Sequence, residues 1–206
     1  MRGPVDRLTE GLPSPWRTVI DWAVTIVVAV AAVLAIKAWV VNPYRIPSSS
    51  MEPTLHCGRN FTGDGCLGRF SDRVLANRFI YRFREPERGE VVVFETPPAA
   101  RLPEPRGCGA GGTFVKRLVG LPGDQWEQRG GFVYINGRRL NESYIRSARR
   151  GNDSYPPQTI PTGRYFMMGD NRMSSCDSRK WGTVPRENLI GPVFAVYWPP
   201  QRIGPR

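Results

Sequence analysis

A mostly apolar run, Trp22 to Val41 (WAVTIVVAVAAVLAIKAWVV), constrains this 206-residue chain more than any other feature of it. A helix needs about 20 mostly apolar residues to cross a bilayer, and the run supplies that length. Lys37 lies near its end, where a long side chain can carry its amine to an interface. Trp22 and Trp39 stand at its two ends, where interfacial aromatics gather. A helix buried in a soluble protein would show a polar stripe, and none is visible. A cleaved secretory signal would have a shorter apolar core and a small-residue exit. The Ala-rich centre is compatible with that, but the run continues beyond Lys37 through Trp39, Val40 and Val41. The expectation is an uncleaved transmembrane helix over residues 18–41, behind a polar tail at 1–17. Arg2, Arg7 and Arg17 precede the helix and place the N-terminus on the cytoplasmic side.

Beyond the run the pattern changes to short strands and turns. Val74–Phe83 and Glu90–Phe94 read as strands, with Glu85–Gly89 as the turn between them. Thr113–Val119 is a strand stopped by Gly120-Leu-Pro-Gly123. Phe132–Ile135 followed by Asn136-Gly137 is a hairpin signal, because these two residues accept the positive φ that a tight turn needs. Residues 146–163 are polar and read as a long excursion. Tyr165–Met168 and Gly191–Trp198 complete the strands. Little helical periodicity accompanies them, so residues 42–200 are expected to form a mostly β domain. Two irregular insertions, 56–69 and 96–112, interrupt it, and a polar tail at 201–206 follows. No internal repeat is visible.

Composition limits the chemistry. The net charge is +11 and the pI about 10.2. Such a balance suits phosphate-bearing surfaces. No zinc-finger, basic-zipper or RNA-binding signature accompanies it, and the arginines are scattered, so nucleic acid is not an expected partner. Lys37, Lys116 and Lys180 are the only lysines, and arginine does not deprotonate in proteins. His56 is the only histidine, so a Ser-His-Asp triad would have to use it. The cysteines, Cys57, Cys66, Cys108 and Cys176, lack the spacing of a zinc or redox site. Disulfides are permitted outside the cytoplasm, and Cys57–Cys66 is the most local pairing; for Cys108 and Cys176 free thiols are an equal reading.

Two stretches carry chemistry. Tyr44-Arg-Ile-Pro-Ser-Ser-Ser-Met-Glu-Pro-Thr-Leu55 sets three serines between two prolines, which stiffen it against helix formation. A rigid turn can hold a nucleophilic hydroxyl away from competing partners, although Ser/Pro clusters are usually loops. In Thr113–Val119 the strand alternation puts Phe114, Lys116 and Leu118 on one face. A lysine between two large apolar residues is desolvated, which disfavours the ammonium. A neutral amine can then act as a general base. The competing reading is a lysine that packs its stem and pairs or snorkels its amine. Lys180, beside Arg179, reads as a solvated charge.

Ser48-Ser-Ser-Met-Glu-Pro-Thr-Leu55 resembles the serine box of the bacterial type I signal peptidases. Phe114-Val-Lys-Arg-Leu-Val-Gly-Leu-Pro-Gly-Asp124 resembles their lysine box, and Gly169-Asp-Asn-Arg-Met-Ser-Ser-Cys-Asp-Ser-Arg-Lys-Trp-Gly182 their third box. Arg88-Gly-Glu-Val-Val-Val-Phe94 also fits, with Glu90 where Asp is more usual. The resemblance spans most of residues 44–198 in order, and implies an antiparallel β-sheet catalytic domain behind one transmembrane helix. It implies a serine protease that removes signal peptides at the outer face of the cytoplasmic membrane, with Ser50 as nucleophile and Lys116 as general base. Ser48 and the Ser50 N–H would form the oxyanion hole. Ser175 would orient the amine, Asp177 and Arg179 would pair behind it, and Gly169 and Asp170 would form the supporting turn. Tyr44, Ile46, Pro47, Met51, Leu55, Phe114 and Val115 would line pockets for an Ala-x-Ala substrate.

The implied partners are preprotein signal peptides, the lipid bilayer and the secretion translocon, with no cofactor and no metal. Ser49 departs from the family where Gly is common, and Cys176 stands between Ser175 and Asp177. Two rival readings are a maturation peptidase for pilin or conjugation substrates and a catalytically inactive membrane-anchored binding module. A self-cleaving repressor would need a DNA-binding segment in place of the anchor. An inactive homologue would be expected to have lost Ser50 or Lys116, and both are present.

Overall fold

The computed structural model describes residues 14–39, 41–59 and 65–206. Most of the tail expected at 1–17, and residues 60–64 of the first insertion, lie outside the described residues. The chain divides into two compact units at the Val41/Asn42 boundary. In the first, α1 runs Ser14–Trp39, 26 residues. Most of its described apolar side chains, Val27, Val30 and Val33 among them, are exposed. Among the described residues no helix is long and apolar enough to cross a membrane. The side chains described in α1 end at Leu34, ahead of the end of the apolar run.

The second unit is built on two sheets. The larger orders its strands β1 (Val41–Arg45), β2 (Arg73–Asn77), β11 (Leu189–Trp198), β3 (Val91–Glu95), β4 (Thr113–Gly120), β9 (Arg164–Met168) and β10 (Val184–Pro185). β12 (Gly204–Pro205) pairs with β11. The smaller sheet orders β7 (Arg138–Arg139), β6 (Phe132–Ile135), β5 (Gln125–Arg129) and β8 (Tyr155–Thr159). The pairings from β2 through β10 are antiparallel, as are those of the smaller sheet. The fold is mostly β, as the strand pattern predicts.

Alternation along the strands makes the core. Val92, Phe94, Leu118, Tyr165 and Met167 pack on one face with Trp181 and Val184. Val91 and Val93 pack with Val74, Ala76, Val193, Met51 and Leu55 in a second cluster. In a third cluster Val119, Phe166 and Met168 of the large sheet meet Trp126, Val133 and Ile135 of the small one. Trp126 is fully buried and stacks on Phe166 with ring centroids 4.2 Å apart.

Several local expectations change. The strand predicted over Val74–Phe83 ends at Asn77, whose Oδ1 accepts from the Phe79 and Ile80 N–H groups and starts a 3-10 turn. The excursion at 146–163 contains β8, an edge strand that tolerates Pro156 and Pro157 because one side of it faces solvent. The hairpin at Asn136-Gly137 forms with φ of 52° and 76°. Within residues 201–206, Arg202 donates to the buried Asp72 and Gly204 joins a strand. The four cysteines form two bridges: Cys57–Cys66 joins the two ends of the first insertion and Cys108–Cys176 ties the second to the segment after β9. The equal reading of Cys108 and Cys176 as free thiols is thereby set aside.

Because Trp126 joins the two sheets, Trp126→Ala should cost about 3–5 kcal/mol. At about 2–4 °C per kcal/mol for a chain of this size, thermal melting should fall by several degrees or more. An unchanged melting temperature would show that the third cluster does not hold the sheets together.

Candidate active site

The serine stretch enters the site as an extended segment followed by a 3-10 turn, Ser49–Met51. Pro47 and Pro53 bracket this turn and keep it from lengthening. Two clamps fix its inner side. The Asn171 N–H donates to Ser50 O at 3.0 Å, and Leu55 N–H to Met51 O at 3.0 Å. Met51 and Leu55 are buried, so the turn is nailed into the core on either side of Glu52. Glu52 is itself fully buried, and its carboxylate accepts from the N–H groups of Cys57 and Leu67. Its other oxygen lies 2.5 Å from His56 Nδ1. The only histidine is thus engaged by a carboxylate of the loop, not by a serine.

Lys116 comes from the middle of β4, opposite Val92 of β3. Phe114 and Leu118, its neighbours on the same face, pack in one apolar cluster as the alternation predicts. Lys116 is only 3% exposed, and its Nζ stands 2.5 Å from Ser50 Oγ and 5.5 Å from the Phe114 ring centroid. Ser50 is 6% exposed. Burial lowers the Lys116 pKa to about 8, against the opposing pull of Asp177 and Asp170; Arg179 adds to the lowering. The hydroxyl of Ser48 lies 3.2 Å from that of Ser50. A hydroxyl and a partly neutral amine in direct contact, shielded from water, can exchange a proton.

The segment after β9 supports this pair from behind. Asp177 is fully buried and accepts from Arg179 Nε and Nη2, each at 2.8 Å, and from the Gly169 N–H at 3.0 Å. Burial alone would raise its carboxyl; the Arg179 guanidinium outweighs that and holds it below the usual carboxylate range. Asp177 also caps α2, the short helix Ser178–Trp181. Gly169 is required by contact: a Cβ there would stand 2.2 Å from Ser175 Oγ and 2.5 Å from Ser50 O. Ser175 and the segment bearing Ser50 thus both crowd Gly169, and the Ser175 Oγ is buried. Asp170, also fully buried, accepts two bonds from Arg117 and one from Thr54. Lys180, expected as a solvated charge, pairs at the surface with Glu104.

A cleft of about 380 Å³ opens between β1 and β4. Tyr44, Ile46, Pro47, Met51, Phe114 and Val115 line it, with Ser48, Ser50 and Lys116 in the same wall. Leu55 is the exception among the expected pocket residues. It is fully buried in the core beneath the serine turn, and the cleft does not reach it. Sequence reasoning missed Asn171, Thr54, Arg117, Glu52, Arg172 and Glu142. The last two form a pair that is 1% exposed on both sides, and Arg172 Nε also donates to Gly169 O. The adjacency of Asn171 and Arg172 to Gly169-Asp170 was a usable signal; for Glu142 nothing local marked it.

Residues 19–198 match the family described as signal peptidase, peptidase S26. A probable signal peptidase I-2 of Synechocystis is 39% identical over 190 residues, covering 92% of this chain and 78% of that protein. A signal peptidase I of Leptolyngbya laminosa is 36% identical over 180 residues, 87% of this chain and 80% of that one. A signal peptidase I of Mycobacterium tuberculosis is 34% identical over 95% of this chain and 78% of its own length. With that match and those identities over most of its length, the chain belongs to the signal peptidase family, peptidase S26, and is a serine endopeptidase.

Proposed function

We propose that this chain removes signal peptides from exported preproteins by a Ser50–Lys116 dyad, cutting after an Ala-x-Ala-like site at the outer face of the cytoplasmic membrane. The observation that carries the reading is the 2.5 Å contact between two buried groups, a hydroxyl and an amine whose pKa is about 8. Neutral Lys116 takes the Ser50 proton as Oγ bonds to the scissile carbonyl carbon. The carbonyl oxygen becomes an oxyanion, stabilised by the Ser50 N–H and the Ser48 hydroxyl. Lys116 then gives its proton to the departing amine, and the C–N bond breaks to leave an acyl group on Ser50. A water, deprotonated by Lys116, attacks that ester and restores Ser50.

Substrate recognition follows from the sheet. β9 pairs with β4 only from Arg117 onward, so the Thr113–Lys116 half has no β9 partner on that side. An extended peptide can pair there by backbone hydrogen bonds, across from the Tyr44–Pro47 segment. The apolar cleft walls favour small uncharged side chains beside the cut. Asp177, Arg179, Gly169, Asp170 and Ser175 hold the amine and the serine turn in place, while Leu55 supports that turn from the core.

Residues 18–41 act as the anchor in this reading, with the peptidase domain at 42–200. The anchor reading rests on the sequence, whose apolar run from Trp22 to Val41 extends beyond the side chains described in α1. Exposed valines along the described part of α1 suit a lipid environment. The bilayer and the secretion translocon are then the neighbours of the site, and preproteins its substrates.

Purified chain in detergent micelles should cut a preprotein bearing an Ala-x-Ala site, and Ser50→Ala or Lys116→Ala should each abolish the cutting while melting cooperatively. Activity surviving in either variant refutes the dyad. The active amine is the unprotonated one, so kcat/KM should rise with pH through about 8; a limb near 6 or above 10 would assign the base elsewhere. The same shift has a consequence for stability. The folded pKa lies below the ordinary lysine value of 10.5, so the unfolded chain binds more protons between about 8 and 10.5. Below about 8 the buried ammonium is therefore destabilising, and the penalty fades as pH rises. Lys116→Met should raise the melting temperature at pH 7, and by less at pH 10. A gain that does not depend on pH would mean that the amine is not held in a depressed state.

A further inference from the structure

Asn171 makes two hydrogen bonds to the segment that bears Ser50, one to each of two successive carbonyls. Its main-chain N–H donates to Ser50 O at 3.0 Å, and its side-chain Nδ2 donates to Ser49 O at 3.1 Å across 122 positions of sequence. The second bond matters more than a tether. Ser49 C=O and Ser50 N–H belong to one planar trans peptide unit, so fixing the direction of the carbonyl fixes that of the N–H on its far side. Glu52 N–H also donates to Ser49 O at 3.1 Å, but from within the same 3-10 turn, so it shapes the turn without orienting it against the rest of the domain.

Asn171 can supply that external reference because it is held rigidly itself. It is 3% exposed, and its φ and ψ of −86° and 82° place it outside helix and strand. On one side Asp170 is locked by Arg117 and Thr54. On the other Arg172 is locked by Glu142 and by Gly169 O.

We infer that Asn171 is a positioning residue of the reaction: its carboxamide aims the Ser50 N–H at the oxyanion. This rests on the proposed role of that N–H. Asn171 touches neither the substrate nor the reacting atoms, and acts through the Ser49–Ser50 peptide plane. Losing an oxyanion donor outright costs about 10²–10³ in kcat, and a donor that is present but misaimed keeps part of this. The expected loss in Asn171→Ala is about 10- to 100-fold in kcat, with KM close to wild type. Asn171→Asp, the same shape with an acceptor facing the carbonyl, should lose at least as much.

The test uses the full-length chain in micelles and two probes. One is a preprotein with an Ala-x-Ala site. The other is a peptide aldehyde ending in the same residues. Ser50 Oγ bonds to the aldehyde carbon, the hydroxyl proton passes by way of Lys116 to the former carbonyl oxygen, and the adduct carries that oxygen into the oxyanion hole. Supporting the inference, kcat and aldehyde affinity fall together while KM and the rising pH limb stay in place. A full kcat in both variants overturns it. So does a fall in kcat with unchanged aldehyde affinity, or with a shifted pH limb, either of which places the effect on the base. Failure of the peptidase reading shows separately, as no cutting by wild type. The Ser50 amide resonance in ¹⁵N-labelled protein then decides the inference: it shifts in Asn171→Ala if the carboxamide orients the peptide plane, and staying fixed overturns it.

Discussion

The site depends on one act of desolvation. Lys116 is carried into the protein on β4 and shut away from water between Phe114 and the serine turn. Water would keep the amine charged and useless as a base; burial brings its pKa down to about 8. The carboxylates of Asp177 and Asp170 pull in the other direction, so their own pairing matters. With Arg179 on Asp177 and Arg117 on Asp170, each negative charge is largely answered before it reaches the amine. Burial consequently outweighs the acids, and Ser50 Oγ meets an amine of lowered pKa at 2.5 Å.

That arrangement requires a rigid surround. Ser50 lies in a turn that is nearly all loop, and loops do not hold ångström-scale geometry unaided. Here the turn is bound from three directions. Met51 and Leu55 sink into the core, Asn171 grips two carbonyls, and buried Glu52 organises the Cys57–Cys66 loop behind it. Buried ion pairs such as Arg172–Glu142 and Arg179–Asp177 give little net stability, because desolvating both charges offsets their attraction. Their contribution is geometric: each has one satisfied arrangement, and that arrangement keeps Gly169 close against both Ser175 and the Ser50 carbonyl, with no room for a side chain.

What the sequence made legible was local. The two-residue period of Thr113–Val119 fixed which neighbours Lys116 would have, and Asn136-Gly137 announced its hairpin because positive φ is expensive elsewhere. Residues 44–55 were legible as a stiff turn from two prolines. The rest was set by contacts distant in sequence. Glu142 is 30 positions from Arg172, and Asn171 is 122 from Ser49, so neither leaves a periodic trace. Cys108 and Cys176 bridge across 68 positions. β8 was hidden by Pro156 and Pro157, which argue against a strand unless it lies at an edge. Leu55 lies in the core and outside the cleft; an apolar residue near the serines reads alike in sequence whether it faces a pocket or the core.

The central claim is that burial brings the pKa of one lysine beside Ser50 down to about 8, close to physiological pH. The chain has three lysines, so protein labelled with ¹³C at lysine Cε gives at most three titrating signals, and Lys116→Met assigns the one that matters. Titrating the full chain in micelles by NMR should show that signal moving with a midpoint near 8. A midpoint at the ordinary lysine value, near 10.5, would contradict the account.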